Sequence, residues 1–226
     1  MKNPARDTMI ELEDVSKTFG SRLAVNHVSF TLPDQGRTIL VGPSGSGKTT
    51  LLRLIAGLEI PDTGTITLNG RLVSSQECMV PPSERSIGFV FQSSALWPHM
   101  TIADNIRFAL GGLPQSEQQQ RSRFLMERMG ILSLADRYPN QISGGESRRV
   151  ALARALAPRP ATLLFDEPLT NLDRPLRENL LGLILESVRE VGSGMVYVTH
   201  DEYEAETLAG TIVRFSNGSI CSDGIR

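Results

Sequence analysis

Gly42-Pro43-Ser44-Gly45-Ser46-Gly47-Lys48-Thr49 stands between the apolar run Thr38 to Val41 and a segment in which Leu51, Leu52, Ile55 and Leu58 recur at helical spacing. Strand, glycine-rich loop and helix in that order are the context in which G-x-x-x-x-G-K-[ST] binds phosphate. Glycines let backbone amides converge on phosphate oxygens that a Cβ would obstruct. Lys48 supplies a compact positive charge to β and γ phosphates, Thr49 offers a hydroxyl to magnesium, and the helix beginning there adds its positive end. Only three of the 23 basic residues are lysines, so a lysine here is not background. A chance match in a turn is expected in about one chain in a hundred. Gly57 and Pro61 close the helix.

The composition of the 226 residues, 40% apolar and 21% charged, is that of a globular chain and excludes disorder and fibre. At this length roughly 70% of the unfolded surface can be buried, so one large domain, with or without a subdomain, is expected. A net charge of -2 offers no broad attraction to nucleic acid or an anionic membrane. No run approaches the ~18 apolar residues of a membrane helix, and MKNPARDTMIELEDV has no leader-type apolar stretch, so the expectation is a cytoplasmic protein. Cys78 and Cys221 stand alone, without the spacing of a disulfide framework or a zinc site.

Around the loop, Thr8 to Val15 and Ala24 to Leu32 alternate as strands, making the amino end β-rich. Thr65 to Leu68 and Ile87 to Phe91 read as further strands, with Val80-Pro81-Pro82 as an exposed turn between them. From about Thr101 to Ala157 the periodicity becomes helical. Leu163 to Phe165, a helix over about Leu176 to Val191, strand Met195 to Thr199 and a short helix from Asp201 then resume the order of a parallel sheet. The expected architecture is one α/β domain over 1–226. Its core is 1–92 plus 159–226, with a β-rich amino end and an α-helical subdomain inserted at 93–158.

Thr162 to Glu167 is a buried strand that delivers two adjacent carboxylates at its carboxyl end, where ligands of open α/β sheets sit. Asp166 is placed to hold magnesium, and Glu167, on the other side, to orient or deprotonate an attacking water. The same acids before Pro168 also read as a solvated turn. Ser143-Gly144-Gly145-Glu146 opens a helix with Val150, Leu152, Ala153 and Leu156 on its apolar face; it reads as a second anion nest, or simply as a serine cap with flexible glycines.

Taken together the motifs resemble the nucleotide-binding subunit of ATP-binding cassette (ABC) transporters. GPSGSGKTT (to Thr50), Gln92 after IGFVF, ISGGE, LLFDEP, Asn171-Leu172-Asp173 and Val198-Thr199-His200-Asp201 follow in that family's order over nearly the whole chain. The resemblance implies an ATP-hydrolysing P-loop fold using magnesium, in which the α/β core binds the nucleotide and the amino-end β part is antiparallel. Two subunits, identical or related, would sandwich two ATPs, each phosphate loop facing the Ser143-Gly144-Gly145 nest of the other. It further implies that Phe19 stacks on adenine, Gln92 reaches magnesium and water, Asp173 couples the two sites, and His200 contacts the γ phosphate. Each has a plainer reading: Phe19 as core, Gln92 as a polar strand end, His200 as a turn or cap residue, and Asp173 as cap of the helix near Pro175.

The pattern departs from the family at Glu146 for glutamine, Ile142 for leucine, Thr170-Asn171 for small residues, and Phe19 for tyrosine. An acid at a helix start suits the dipole, so hydrolysis is expected to survive. Soluble cassettes acting on nucleic acid or ribosomes usually carry long heptads, zinc ligands or two cassettes, none of which is here. A GTPase would show N-K-x-D, also absent, so a transport ATPase working with a separate membrane permease is expected, and no nucleic acid. VPPSERSIGFVFQSSALWPHMTIADNI resembles the cassettes of solute importers, although exporter cassettes share most of it. The chain ends soon after Ile220, which predicts that the regulatory domain of many importer subunits is missing. Trp97, in the loop after Gln92, reads either as a lid on the helical part or as a docking residue for a helix of the permease.

Overall fold

The computed structural model describes residues 10–33 and 36–225. Thr8 and Met9 of the first expected strand, and with them most of the segment read for a leader, lie outside the described residues. By internal contacts the chain forms two compact units, Met1–Phe89 with Ala161–Glu167 and Gly192–Arg226, and Val90–Pro160 with Pro168–Val191.

In the first unit, β1 (Ile10–Phe19) and β2 (Arg22–Leu32) pair antiparallel from Ile10 opposite Leu32 to Phe19 opposite Arg22. With β4 (Thr63–Leu68) and β5 (Arg71–Ser74) they form a sheet in the order β2-β1-β4-β5. The second sheet runs β10-β9-β3-β8-β7-β6, from β3 (Arg37–Val41), β6 (Ile87–Val90), β7 (Thr162–Asp166), β8 (Gly194–Thr199), β9 (Thr211–Ser216) and β10 (Ser219–Ile225). Strands β7, β8, β3 and β9 are parallel. Every residue of β7 and β8 is buried, which is why both read as continuous apolar runs rather than as alternation. Helix α1 (Lys48–Ala56) buries Leu51, Leu52, Leu54 and Ile55 in one core with Leu40, Leu164, Val196 and Val198 of this sheet and Ile10, Leu12 and Ile66 of the other. Each fully buried leucine contributes roughly 1.5–3 kcal/mol. The helix ends at Gly57, whose φ of 75° lets its N–H return to the carbonyls of Arg53 and Leu54.

The turn expected at Val80-Pro81-Pro82 is exposed only at its prolines. Val80 is buried in the core and donates its N–H to the carbonyl of Val73. The cause is Arg85, itself 4% exposed. Its guanidinium donates to the carbonyls of Val80 (2.8 Å), Val73 (2.8 Å), Leu54 (3.2 Å) and Ile55 (2.8 Å), and to Ser74 Oγ (2.7 Å). Leu54 and Ile55 end α1, where the helix carries partial negative charge. Burial pushes the guanidinium pKa down to about 10, and the five acceptors offset the loss of water around the charge.

The second unit holds α2 (Ile102–Phe108), α3 (Gln115–Arg128), α4 (Gly144–Leu156) and α5 (Arg174–Val191). Its interior is made of Ile102, Ile106, Leu125, Met126, Val150, Leu152, Leu181, Ile184 and Val188. The helix between β7 and β8 thus groups with the helical unit. The short α6 (Glu202–Leu208) belongs to the first unit, capped by the Asp201 carboxylate. Among the described residues no helix is long and apolar enough to cross a membrane.

Arg85→Met keeps length and apolar stem while removing every donor, leaving several buried acceptors unpaired. Denaturant unfolding is expected to report a loss of about 3 kcal/mol or more; a loss under about 1 kcal/mol would contradict the role given to Arg85.

Candidate functional site

The loop joins β3 to α1 through Gly47, which is left-handed at φ 107°, and a Cβ there would collide with the carbonyl of Ala24. The loop closes tightly on β2, and Lys48 turns inward. Its side chain is 3% exposed, and Nζ donates to the carbonyls of Gly42 and Pro43, each at 2.8 Å. Burial pushes the ammonium pKa below its ordinary value, opposed by the charges of Glu167 and Asp166. These acids stand where β7 ends. Glu167 Oε1 lies 3.9 Å from Lys48 Nζ.

Asp166 is buried, which excludes the solvated-turn reading of this carboxylate. Thr49 Oγ1 donates to its Oδ1 at 2.7 Å, tying the first turn of α1 to the end of β7. Burial raises the Asp166 pKa; the Thr49 hydrogen bond opposes this, and the Glu167 charge adds to it. Glu167 itself is left-handed at φ 45°, while its N–H still donates to Val198 of β8. A non-glycine residue in that region costs of order 1 kcal/mol and recurs at functional sites. Glu167 Oε2 lies 3.1 Å from His200 Nδ1, just past β8, so the structure brings Glu167 and His200 together.

A cleft of about 290 Å³ opens above these groups, lined by Phe19, Arg22, Ala24, Gly45, Gly47, Lys48, Thr49, Thr50 and Glu167. Phe19 is 45% exposed and is not core; the Lys17 ammonium lies 5.5 Å from its ring centre. An aromatic face at one wall and a phosphate-type loop at another suit a flat base joined to a polyanion. Beside Lys48, a hydroxyl and a buried carboxylate held 2.7 Å apart are hard oxygen donors with excess negative charge, the donor set that fits a small divalent cation.

The remaining expected residues lie in the second unit. Gln92 follows β6 and is partly buried. Ser143 caps α4: Glu146 N–H donates to Ser143 Oγ (3.3 Å), while the Glu146 carboxylate accepts from Ser143 N–H (2.7 Å) and Oγ (2.8 Å). These bonds hold the Glu146 carboxyl below the usual carboxylate range. Asp173 Oδ1 accepts the N–H of Leu176 at the start of α5 (2.9 Å). Three polar residues were not found by reading the sequence. Arg148 donates to the carbonyls of Pro168 and Thr170, fixing the loop before α5 to α4. Asn105, fully buried, binds Trp97 by both its N–H and its carbonyl, and also the carbonyls of Met100 and Thr101. Arg22 lines the cleft; its two-residue separation from Phe19 across Gly20-Ser21 was the available signal.

A parallel sheet with this loop after one strand and paired acids after another defines the class of P-loop nucleoside triphosphatases. The model of the ABC transporter family matches residues 25–170, and the chain belongs to that family. It is 45% identical over 217 residues to an Fe(3+) ions import ATP-binding protein of Pectobacterium atrosepticum, covering 96% of this chain and 62% of that one. It is also 45% identical over 213 residues to a trehalose/maltose import ATP-binding protein of Thermococcus litoralis, covering 92% and 57%. Over 213 residues it is 46% identical to a sulfate/thiosulfate import ATP-binding protein of Mycobacterium tuberculosis, covering 93% and 60%. The chain therefore spans about 60% of the length of these curated relatives. A dimeric ATP-binding cassette in a post-hydrolysis state, bound to ADP and phosphate, has the same fold at a TM-score of 0.82 and 28% identity, covering 93% of this chain and 96% of that chain.

Because burial raises the native Asp166 pKa above its unfolded value, the native chain loses stability as pH rises through that native pKa. Asp166→Asn keeps an acceptor for Thr49 and removes the buried charge. The variant is expected to be about 1 kcal/mol more stable at neutral pH, with a flatter pH dependence of its thermal midpoint. A variant less stable than the native chain at neutral pH would contradict the cost assigned to burying Asp166.

Proposed function

We propose that this chain hydrolyses ATP to drive import of a solute through a separate membrane permease, which holds it on the cytoplasmic face. The observation that carries the reading is the meeting of Lys48, Thr49, Asp166, Glu167 and His200 in the first unit. The import ATP-binding relatives favour import over export, and over a soluble cassette acting on nucleic acid.

In this reading Phe19 stacks on the adenine, and the loop amides from Gly42 to Thr50 with the Lys48 ammonium receive the β and γ phosphates. Thr49 and Asp166 would hold magnesium, which supplies neutralisation of the phosphate oxygens. Glu167 takes a proton from the water that attacks the γ phosphorus; the bond from that phosphorus to the β-phosphate oxygen breaks, giving ADP and phosphate. His200 fixes the Glu167 carboxylate through Oε2, so its orientation does not have to be found at each turnover. Gln92, Ser143-Gly144-Gly145-Glu146 and Asp173 enter the proposal through the resemblance: Gln92 toward magnesium and water, the nest toward the ATP of a second subunit, and Asp173 in coupling the two sites. The dimeric neighbour supports pairing with a second copy or a related cassette.

Docking of a permease helix is assigned to the loop after Gln92. Trp97 is 44% exposed and its ring lies 5.8 Å from that of Phe108, also exposed, while buried Asn105 pins the loop beneath them. Trp and exposed aromatic neighbours on a fixed loop suit a helix-docking surface.

Glu167→Gln is expected to keep ATP affinity, slow hydrolysis at least ~100-fold, and accumulate an ATP-dependent dimer in gel filtration. Hydrolysis within a few-fold of the native rate would overturn the role of Glu167, and a strictly monomeric variant at saturating ATP would count against pairing. Trp97→Ala is expected to leave ATP binding unchanged while weakening co-purification with the permease. Loss of soluble expression instead would mean that Trp97 serves the fold of the helical unit.

A further inference from the structure

The β1–β2 hairpin turns on Gly20 and Ser21 and sets Phe19 directly opposite Arg22. Directly paired residues project from the same face of a sheet. The hairpin tip therefore carries a ring and a guanidinium side by side, and both line the cleft. Arg22 is exposed, yet its Nη2 donates to the carbonyl of Gly45 in the phosphate loop at 2.6 Å. Gly45 is left-handed at φ 78°, and a Cβ there would stand 3.2 Å from the same Nη2. Glycine at this position serves the left-handed backbone turn.

The charges of the cleft give this contact a purpose. Lys48 is buried against loop carbonyls and faces both Asp166 and Glu167, so these three groups sum to a formal charge of -1. A triphosphate brought to that cluster meets two carboxylates beside the single Lys48 ammonium, so a further cation at the cleft favours its binding. Among the described residues Arg22 forms no ion pair, and its hydrogen bond to Gly45 employs one of five N–H donors. A planar guanidinium with several remaining donors is the side chain best matched to phosphate oxygens.

We infer that Arg22 is a substrate-binding residue: anchored to Gly45 by one donor, it presents its charge and remaining donors to the polyphosphate of a nucleotide whose base lies on Phe19. The inference rests on the nucleotide reading above and adds a contact that the loop motif does not contain. Phe19 and Arg22 then act as one recognition unit, read across a two-residue turn. Their common anchorage couples the hairpin tip to the phosphate loop.

The test is calorimetric titration of the full chain with ATP at about 50 mM and 300 mM salt, for the native protein, Arg22→Met, Arg22→Lys and Lys48→Ala. At low salt Arg22→Met is expected to bind roughly tenfold more weakly, the size of one charge-assisted hydrogen bond. At high salt, where exposed charges are screened, the loss should shrink to about threefold or less. Arg22→Lys, which keeps the charge, should retain the native salt dependence. Arg22→Met affinity within twofold of native at both salts would overturn the inference. So would an equal loss at both salts, because Arg22 would then act only through the shape of the loop. Lys48→Ala separates the two levels of the argument: if it binds ATP as the native chain does, the nucleotide reading itself fails, whereas its loss of binding with Arg22→Met unaffected removes only the role of Arg22.

Discussion

A lysine ammonium held almost out of water at the start of α1 is the constraint on which this site depends. Desolvation of such a charge is costly unless acceptors and opposite charge surround it. Here the acceptors are the carbonyls of the loop that precedes it, and the opposite charge comes from the acids at the end of β7. The loop cannot relax without exposing Lys48 to a worse environment, and β7 cannot shift without stripping Thr49 from Asp166. Loop, helix and strand end are thereby held in one arrangement, at the cost of two carboxylates with one of them disfavoured by burial. In the proposed function a divalent cation would supply the positive charge that this cluster lacks.

Arg85 plays the corresponding structural part at the far end of α1. It binds the last carbonyls of the helix and the edge of β5 with donors that no carboxylate competes for. Helix α1 is therefore fixed at its amino end by the chemistry of the site and at its carboxyl end by a buried guanidinium. The rigidity serves a site where misplacement by about 1 Å costs rate.

The parts of this account that were legible in the sequence are those whose chemistry is local. The phosphate loop, the acids after an apolar strand and the serine cap of α4 each lie within eight consecutive residues, so spacing alone reveals them. Strands β7 and β8 were visible as apolar runs because both faces are covered. Val80 was misread as exposed because its burial depends on a partner five residues away, Arg85, which in sequence looks like any surface arginine. The expected boundaries assign α5 to the core segment 159–226, whereas it groups with the helical unit, because alternation of strand and helix gives order but not grouping. Asn105 lacked a motif altogether, and Arg22 was signalled only by its two-residue separation from Phe19. Each acts through backbone carbonyls, which any sequence provides, so only the folded chain reveals which polar side chain reaches them.

The cluster of Lys48, Asp166 and Glu167 is read as a machine for water attack on a terminal phosphate, and isotope transfer tests that reading most directly. The full chain is incubated with magnesium and ATP in water enriched in oxygen-18, and the products are separated and weighed by mass spectrometry. Water attack at the γ phosphorus yields phosphate carrying one oxygen atom from the solvent and ADP carrying none. Solvent label in the ADP, or no release of phosphate above a protein-free control, would contradict it.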